Sequence, residues 1–413
     1  MRAENKPLTP EERLLVLGAR IRPDAEEAAE MKDVLQEDLR WEALMRDGDR
    51  LGVHALLYRH LSSPPFVAPV PRHVIETLKN VYRLQSLRNL KIYGQVGRLL
   101  GAFQDEAVPV VLLKGAHLAW WVYGDIGLRP LSDIDILCRH EEEERACGVM
   151  HRLGYGQKEA HPQSALHERL TWAGTSHLPP FWKPGCVSVD LHLDLYPRAS
   201  RGRDHMKGIW ERTCVRNIDG RNAGTLSPED NILFLAHHLA KHLAVSRVRL
   251  TWFCDIREAI LLSGRAMDWE TLFARAGGLE VAADVGPIFQ LLERHWKTPI
   301  GTTGPSGSSD RLSITDIMAP GRENGVRLRA RAALVRRVAR SAGRPAAALF
   351  LFKHLFPAPR HLIHRYDLDR PWKVVLFYCI HPYRLLKRAA KGGAHIVRAK
   401  LHKRLRGRIM GHR

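Results

Sequence analysis

The sequence predicts an α+β fold in which helical stretches bracket a few short strands, and three observations carry that reading. Helix start signals and helical spacing fill the first hundred residues and return after residue 227. Near Val108 the pattern switches to a β-rich run, giving a strand, helix, strand order. A second, strictly alternating strand follows at Val187–Leu195. The 413 residues are 45% apolar and 26% charged, a globular balance that excludes a disordered tail or a disulfide-stapled peptide.

Taken in order, residues 1–104 read as a helical N-terminal region. Thr9-Pro10-Glu11-Glu12 is a capping residue, a first-turn proline and two acids, opening onto Leu14, Leu15 and Leu17. Leu51–Leu61 and Val74–Leu100 continue the helical spacing. Residues 105–226 form the predicted core. Val108–Leu113 is a buried strand ending at Lys114-Gly115, a helix runs through Trp121, and Leu131–Leu137 is a strand with alternating faces. Trp120, Trp121 and Tyr123 fit helical burial better than a stacking platform.

Glu141–Leu153 is a further helix, after which Val187–Leu195 places Asp190, His192 and Asp194 on one strand face and Val189, Leu191, Leu193 and Leu195 on the other. Ser227-Pro228-Glu229-Asp230 caps the start of a helical region over 227–300, and the Gly/Ser/Pro-rich stretch 301–325 reads as a linker.

Charge is concentrated rather than spread. The net +20 comes from 64 Lys/Arg against 44 Asp/Glu, yet residues 326–413 hold 23 of the bases and only Asp367 and Asp369 of the acids. That helical segment is +21 and the rest of the chain is −1. Val397, Leu401, Leu405 and Ile409 form a stripe among its bases, as in helices that lie on anionic membranes, and the same bases suit RNA phosphates; a solvated or partner-docked helix is the plain alternative. Apolar runs such as Ala346–Phe352 fall well short of the ~20 residues of a membrane span. The N-terminus lacks an apolar signal core. The expected location is the cytoplasm, with the inner membrane face as a peripheral option. Six cysteines without C-x-x-C spacing read as free thiols.

The residues that point to chemistry are acidic. Asp133 and Asp135 sit two apart on a strand, so both carboxylates leave one face with Cβ atoms roughly 7 Å apart. Two such charges call for a cation, and Mg²⁺ (or Mn²⁺) with oxygen ligands is the usual one. Asp190 is the candidate third ligand. Lys114 and Gly115, at a strand tip that opens a helix, offer a point charge and close backbone approach to phosphate, and Arg129 and Ser132 offer further donors. His192 shares the Asp190 face. His238 and His242, spaced i,i+4 beside His237, suit substrate lining or packing better than zinc.

These motifs in order, VVLLKGAHLAWWVYGDIGLRPLSDIDIL, VSVDLHLDL, LSPEDNILFLAHHLAKH and WFCDI, resemble the uncharacterised nucleotidyltransferase family of the polymerase beta superfamily, over roughly Leu51 to Ile300. The resemblance implies a short mixed sheet flanked by helices, with Asp133, Asp135 and Asp190 binding divalent metal. It also implies attack of an acceptor hydroxyl on the α-phosphate of a nucleoside triphosphate such as ATP, releasing pyrophosphate. Lys114-Gly115-Ala116 departs from the commoner Gly-Ser of the superfamily, so a serine hydroxyl is missing from the triphosphate contact. The acceptor class stays open among small molecules, glycan precursors and protein hydroxyls. The contrasting reading is a catalytically degenerate binding module, or an antitoxin-like partner, that uses its basic tail on RNA or anionic lipid.

Overall fold

The computed structural model describes residues 7–157, 176–196, 204–244, 248–301 and 313–318. The basic segment 326–413, with its predicted stripe, and most of the 301–325 stretch lie outside the described residues. One short helix, Ile314–Met318, falls within that stretch, and its Met318 carbonyl accepts a hydrogen bond from Arg50 at 2.8 Å.

Helices α1 (Pro10–Gly18), α2 (Ala25–Val34), α3 (Trp41–Leu51), α4 (His54–Leu61) and α5 (Arg72–Asp105) make up the N-terminal region. The Thr9 start signal works as read: Glu12 N–H donates to Thr9 Oγ1 at 3.3 Å and Thr9 N–H to Glu12 Oε2 at 2.9 Å, a reciprocal cap. Asp24 and Glu27 repeat it at α2. The 34 residues of α5 span about 51 Å, long enough for its first half to pack on α4 and its second half, Ile92 to Phe103, to cover the sheet.

The chain then alternates β1 (Val110–Leu113), α6 (Lys114–Trp121), β2 (Asp133–Cys138), α7 (Glu143–Arg152), β3 (Gly156–Gln157), β4 (Phe181–Trp182) and β5 (Ser188–His192). A hairpin, β6 (Cys214–Ile218) and β7 (Arg221–Thr225), follows the helix Asp204–Glu211. The sheet is mixed, in the order β3-β4-β5-β2-β1-β7-β6. β2 runs antiparallel to β1 and parallel to β5, with Asp135 directly opposite Asp190. The fold is α+β, as the sequence predicts.

Alternation on these strands divides the interior. Ile134, Ile136, Val189 and Leu191 face one cluster, closed by α5 and by Ala146, Val149 and Met150 of α7. The opposite face carries Asp133, Asp135 and Leu137, and Leu137 joins a second cluster formed with α1 to α4 and with the helices Pro228–Ala244, Leu250–Ser263, Trp269–Gly278 and Ala282–Trp296. The carboxylates therefore look toward the later helices and not toward α5.

All three predicted strands shift their bounds: β2 runs Asp133–Cys138 rather than Leu131–Leu137, and the other two differ for identifiable reasons. β1 starts at Val110 and not Val108, directly after Pro109, which has no N–H to give the ladder. β5 ends at His192 rather than Leu195, because the Ser176 carbonyl accepts from both Leu193 N (3.0 Å) and Asp194 N (3.1 Å) and turns the chain away. Asp194 thus leaves the face of Asp190 and lies 3.3 Å from His140, while Leu195 joins the second cluster. The β6–β7 hairpin turns at Asp219-Gly220, both at positive φ (48° and 79°), the backbone a two-residue hairpin turn requires.

Candidate active site

Lys114 is the first residue of α6 and sits at the tip of β1 with φ 45°, a left-handed conformation uncommon for a side chain other than glycine. The bend turns its ammonium onto the neighbouring strand, where Nζ donates to Asp135 Oδ1 at 2.6 Å. His192 reaches the same oxygen from β5, with Nε2 at 2.8 Å, so Nε2 carries the proton that it donates. Asp135 Oδ1 is thereby held by two donors. Its Oδ2 has no hydrogen-bond partner among the described residues.

The electrostatics separate the three aspartates. Burial alone would raise the Asp135 carboxyl, but Lys114 and the His192 bond outweigh it and hold the group well below the usual carboxylate range. Asp133 is raised, first by burial and then by the Asp135 charge, although Ser132 Oγ donates to it at 3.0 Å. Asp190 is pushed up to about 7 by burial and by Asp135 and Asp133 together. No described cation is bonded to it. His192 falls to about 4, through burial first and Lys114 second, so it stays neutral at pH 7.

Three carboxylates and one ammonium on a shared face leave the cluster with surplus negative charge. The donor set is all oxygen, which suits a hard divalent cation. Among the described residues, however, no group of three or more His, Cys, Asp or Glu side chains is already arranged around a metal position. That holds for the triad and for the His237, His238 and His242 group alike. In the triad the Lys114 ammonium supplies positive charge against Asp135, where an ion's charge would otherwise fall.

Arg129 and Gly115 meet at a second ion pair. The Arg129 guanidinium is buried and pairs with Asp255 through Nε–Oδ1 (2.8 Å) and Nη2–Oδ2 (2.7 Å), and Tyr123 O–H donates to the same carboxylate at 2.8 Å. Asp255, the acid of the WFCDI motif, thus has Arg129 and Tyr123 as its partners. Gly115 lies against this pair: a Cβ there would meet Arg129 Nη1 at 2.6 Å and Leu131 Cδ2 at 2.8 Å. Close packing explains the glycine without a ligand.

Several neighbours were not read from the sequence. His177 forms a bridge to His192, with ring centroids 5.2 Å apart. Phe234 lies beneath Lys114, its ring centroid 5.7 Å from Nζ. Trp252 packs on His242 at 4.5 Å. Phe234, His238 and His242 recur at intervals of four, so the i,i+4 histidine pair of the sequence extends to a third ring.

The sequence profile of an uncharacterised nucleotidyltransferase family matches residues 37–297, well over half of the chain. The chain belongs to that family. The chain matches no curated protein and no solved structure. Family membership supports nucleotidyl transfer as the general activity and a nucleotide as substrate. No described helix is long and apolar enough to cross a membrane.

Proposed function

We propose that the chain is a divalent-metal-dependent nucleotidyltransferase that moves a nucleoside monophosphate from a nucleoside triphosphate to an acceptor hydroxyl, releasing pyrophosphate. The observation that carries this reading is the parallel β2–β5 register, which places Asp135 opposite Asp190 with Asp133 two residues away on the same face, beside the cation of Lys114. Asp133, Asp135 and Asp190 would hold Mg²⁺ or Mn²⁺, with Asp135 contributing Oδ2 while His192 fixes the carboxylate through Oδ1. Such an ion neutralises phosphate charge and lowers the pKa of the attacking hydroxyl. Lys114, already at the tip of β1, supplies a point charge to the triphosphate. Asp190, with the highest carboxyl pKa of the three, is the best suited to take the acceptor's proton. The acceptor is a small molecule, a glycan precursor or a protein.

A titration of each nucleoside triphosphate, with and without Mn²⁺, on wild type and folded Asp135→Ala tests this. Binding that needs both metal and Asp135 is expected. Metal-independent binding that survives the substitution would instead favour a degenerate binding module, the reading to which the Lys114 and His192 bonds on Asp135 lend support. A separate proposal assigns the +21 segment to polyanions, RNA or anionic lipid, with affinity falling steeply as salt rises.

A further inference from the structure

Phe234, His238 and His242 recur every fourth residue of the Pro228–Ala244 helix, so their rings follow one another along a single face. That face is turned toward the carboxylates. Lys114 Nζ lies 5.7 Å from the Phe234 ring, the His192 ring meets Phe234 edge-on at 6.4 Å, and His238 lies within the fields of both Lys114 and Asp135. Trp252, from the next helix, completes a wall: it is 5.9 Å from His238 and 4.5 Å from His242, and the two imidazoles are 4.5 Å apart. Phe234 is buried at the inner end, whereas His238, His242 and Trp252 are all half-buried.

Two features mark this wall as more than packing. Neither ring nitrogen of His238 has a hydrogen-bond partner among the described residues, although the ring lies beside the charged cluster. Burial, then Lys114 and His242, hold the His238 imidazole well below its ordinary pKa, so it presents an uncharged face.

We propose that His238, His242 and Trp252 form the subsite for the nucleobase of the triphosphate. The inference rests on the nucleotide reading above and extends it. The ligand class follows from the chemistry: flat, neutral rings stack on a flat heteroaromatic base, and imidazole nitrogens can give or take a hydrogen bond at its edge. The distance fits as well. His242 is eight residues beyond Phe234, about 12 Å along the helix axis, which leaves a sugar's length between phosphates at Lys114 and a base at the outer end.

The test compares ATP, GTP, CTP and UTP with inorganic tripolyphosphate, all with Mn²⁺, on wild type, His238→Ala, His242→Ala, Trp252→Leu and Trp252→Phe. Wild type is expected to bind its preferred nucleotide more tightly than tripolyphosphate. His242→Ala and Trp252→Leu should weaken that nucleotide by about 5- to 150-fold, the range of one lost base stack, and leave tripolyphosphate unchanged. Trp252→Phe, which keeps a ring, should retain most of the affinity. Should Trp252→Leu fail to fold by circular dichroism, the two histidine variants decide the matter. Equal losses for nucleotide and tripolyphosphate, or no loss for either, would overturn the subsite and leave the nucleotide reading intact. Failure of wild type to bind any triphosphate would remove the nucleotide reading and this inference with it.

Discussion

Two buried ion pairs lie near the tip of β1, and they are built on opposite terms. Arg129–Asp255 is bidentate, closed by Tyr123 and sealed by the missing side chain of Gly115. One positive charge meets one negative charge, and nothing is left over. Lys114–Asp135 is a single contact at 2.6 Å beside two further carboxylates, with His192 sharing its oxygen. There the negative charge exceeds the positive. A balanced pair fastens the later helices to the core; the surplus charge of the other is what the proposed cation would neutralise.

The contrast breaks most easily at the balanced pair. Arg129→Met strands the Asp255 carboxylate in the interior and should lower stability by about 3–5 kcal/mol, read from urea unfolding. A loss no greater than that of Lys114→Met would erase the distinction. The surplus-charge site should instead show itself through pH. Asp190 keeps its proton up to about pH 7 in the folded protein, while an unperturbed Asp loses it near pH ~4.

Folding therefore takes up a proton between those values, and the stability of the metal-free protein falls as pH rises across the window, on the order of 3 kcal/mol. Asp133, also raised, adds to the same slope. Urea melts in EDTA at several pH values should show it, and Asp190→Asn should flatten most of it; an unchanged slope would show that the crowding is relieved elsewhere. The smallest effect falls between the two pairs. Gly115→Ala forces a methyl against Arg129 and Leu131 and should cost about 1–3 kcal/mol, measured by thermal melting, with nucleotide affinity following stability rather than falling on its own.

Much of this was legible beforehand because it is local. The Thr9 and Ser227 caps, the Lys114 turn and the period-two spacing of Asp133 with Asp135 and of Asp190 with His192 need only neighbouring residues to be read, and Ser227 Oγ does accept the Asp230 N–H at 3.3 Å. Partnerships over long distances in sequence were not legible. Nothing near Asp255 announces Arg129, 126 residues away, and the exit of Asp194 from its predicted face depends on Ser176 claiming the backbone of residues 193 and 194. The β6–β7 hairpin could have been found from its Asp-Gly turn, but its strands, with residues such as Arg216 and Asn217, lack the apolar alternation that signals a half-buried sheet. For the site, spacing named the carboxylates, whereas the oxygen each neighbour grips is a matter of tertiary placement.

The parallel register of β2 and β5 also acts as a lock against error. Slipping β5 by a single residue would turn Asp190 inward among Ile134, Ile136 and the α5 side chains, and would bring Val189 and Leu191 out to the charged side. Burying a carboxylate in that apolar layer is prohibitive, so misaligned pairings are rejected during assembly. Val189 and Leu191 thereby guard the spacing of the three aspartates from the far side of the sheet, and a polar residue at either position would blur the site while leaving each of its side chains in the sequence.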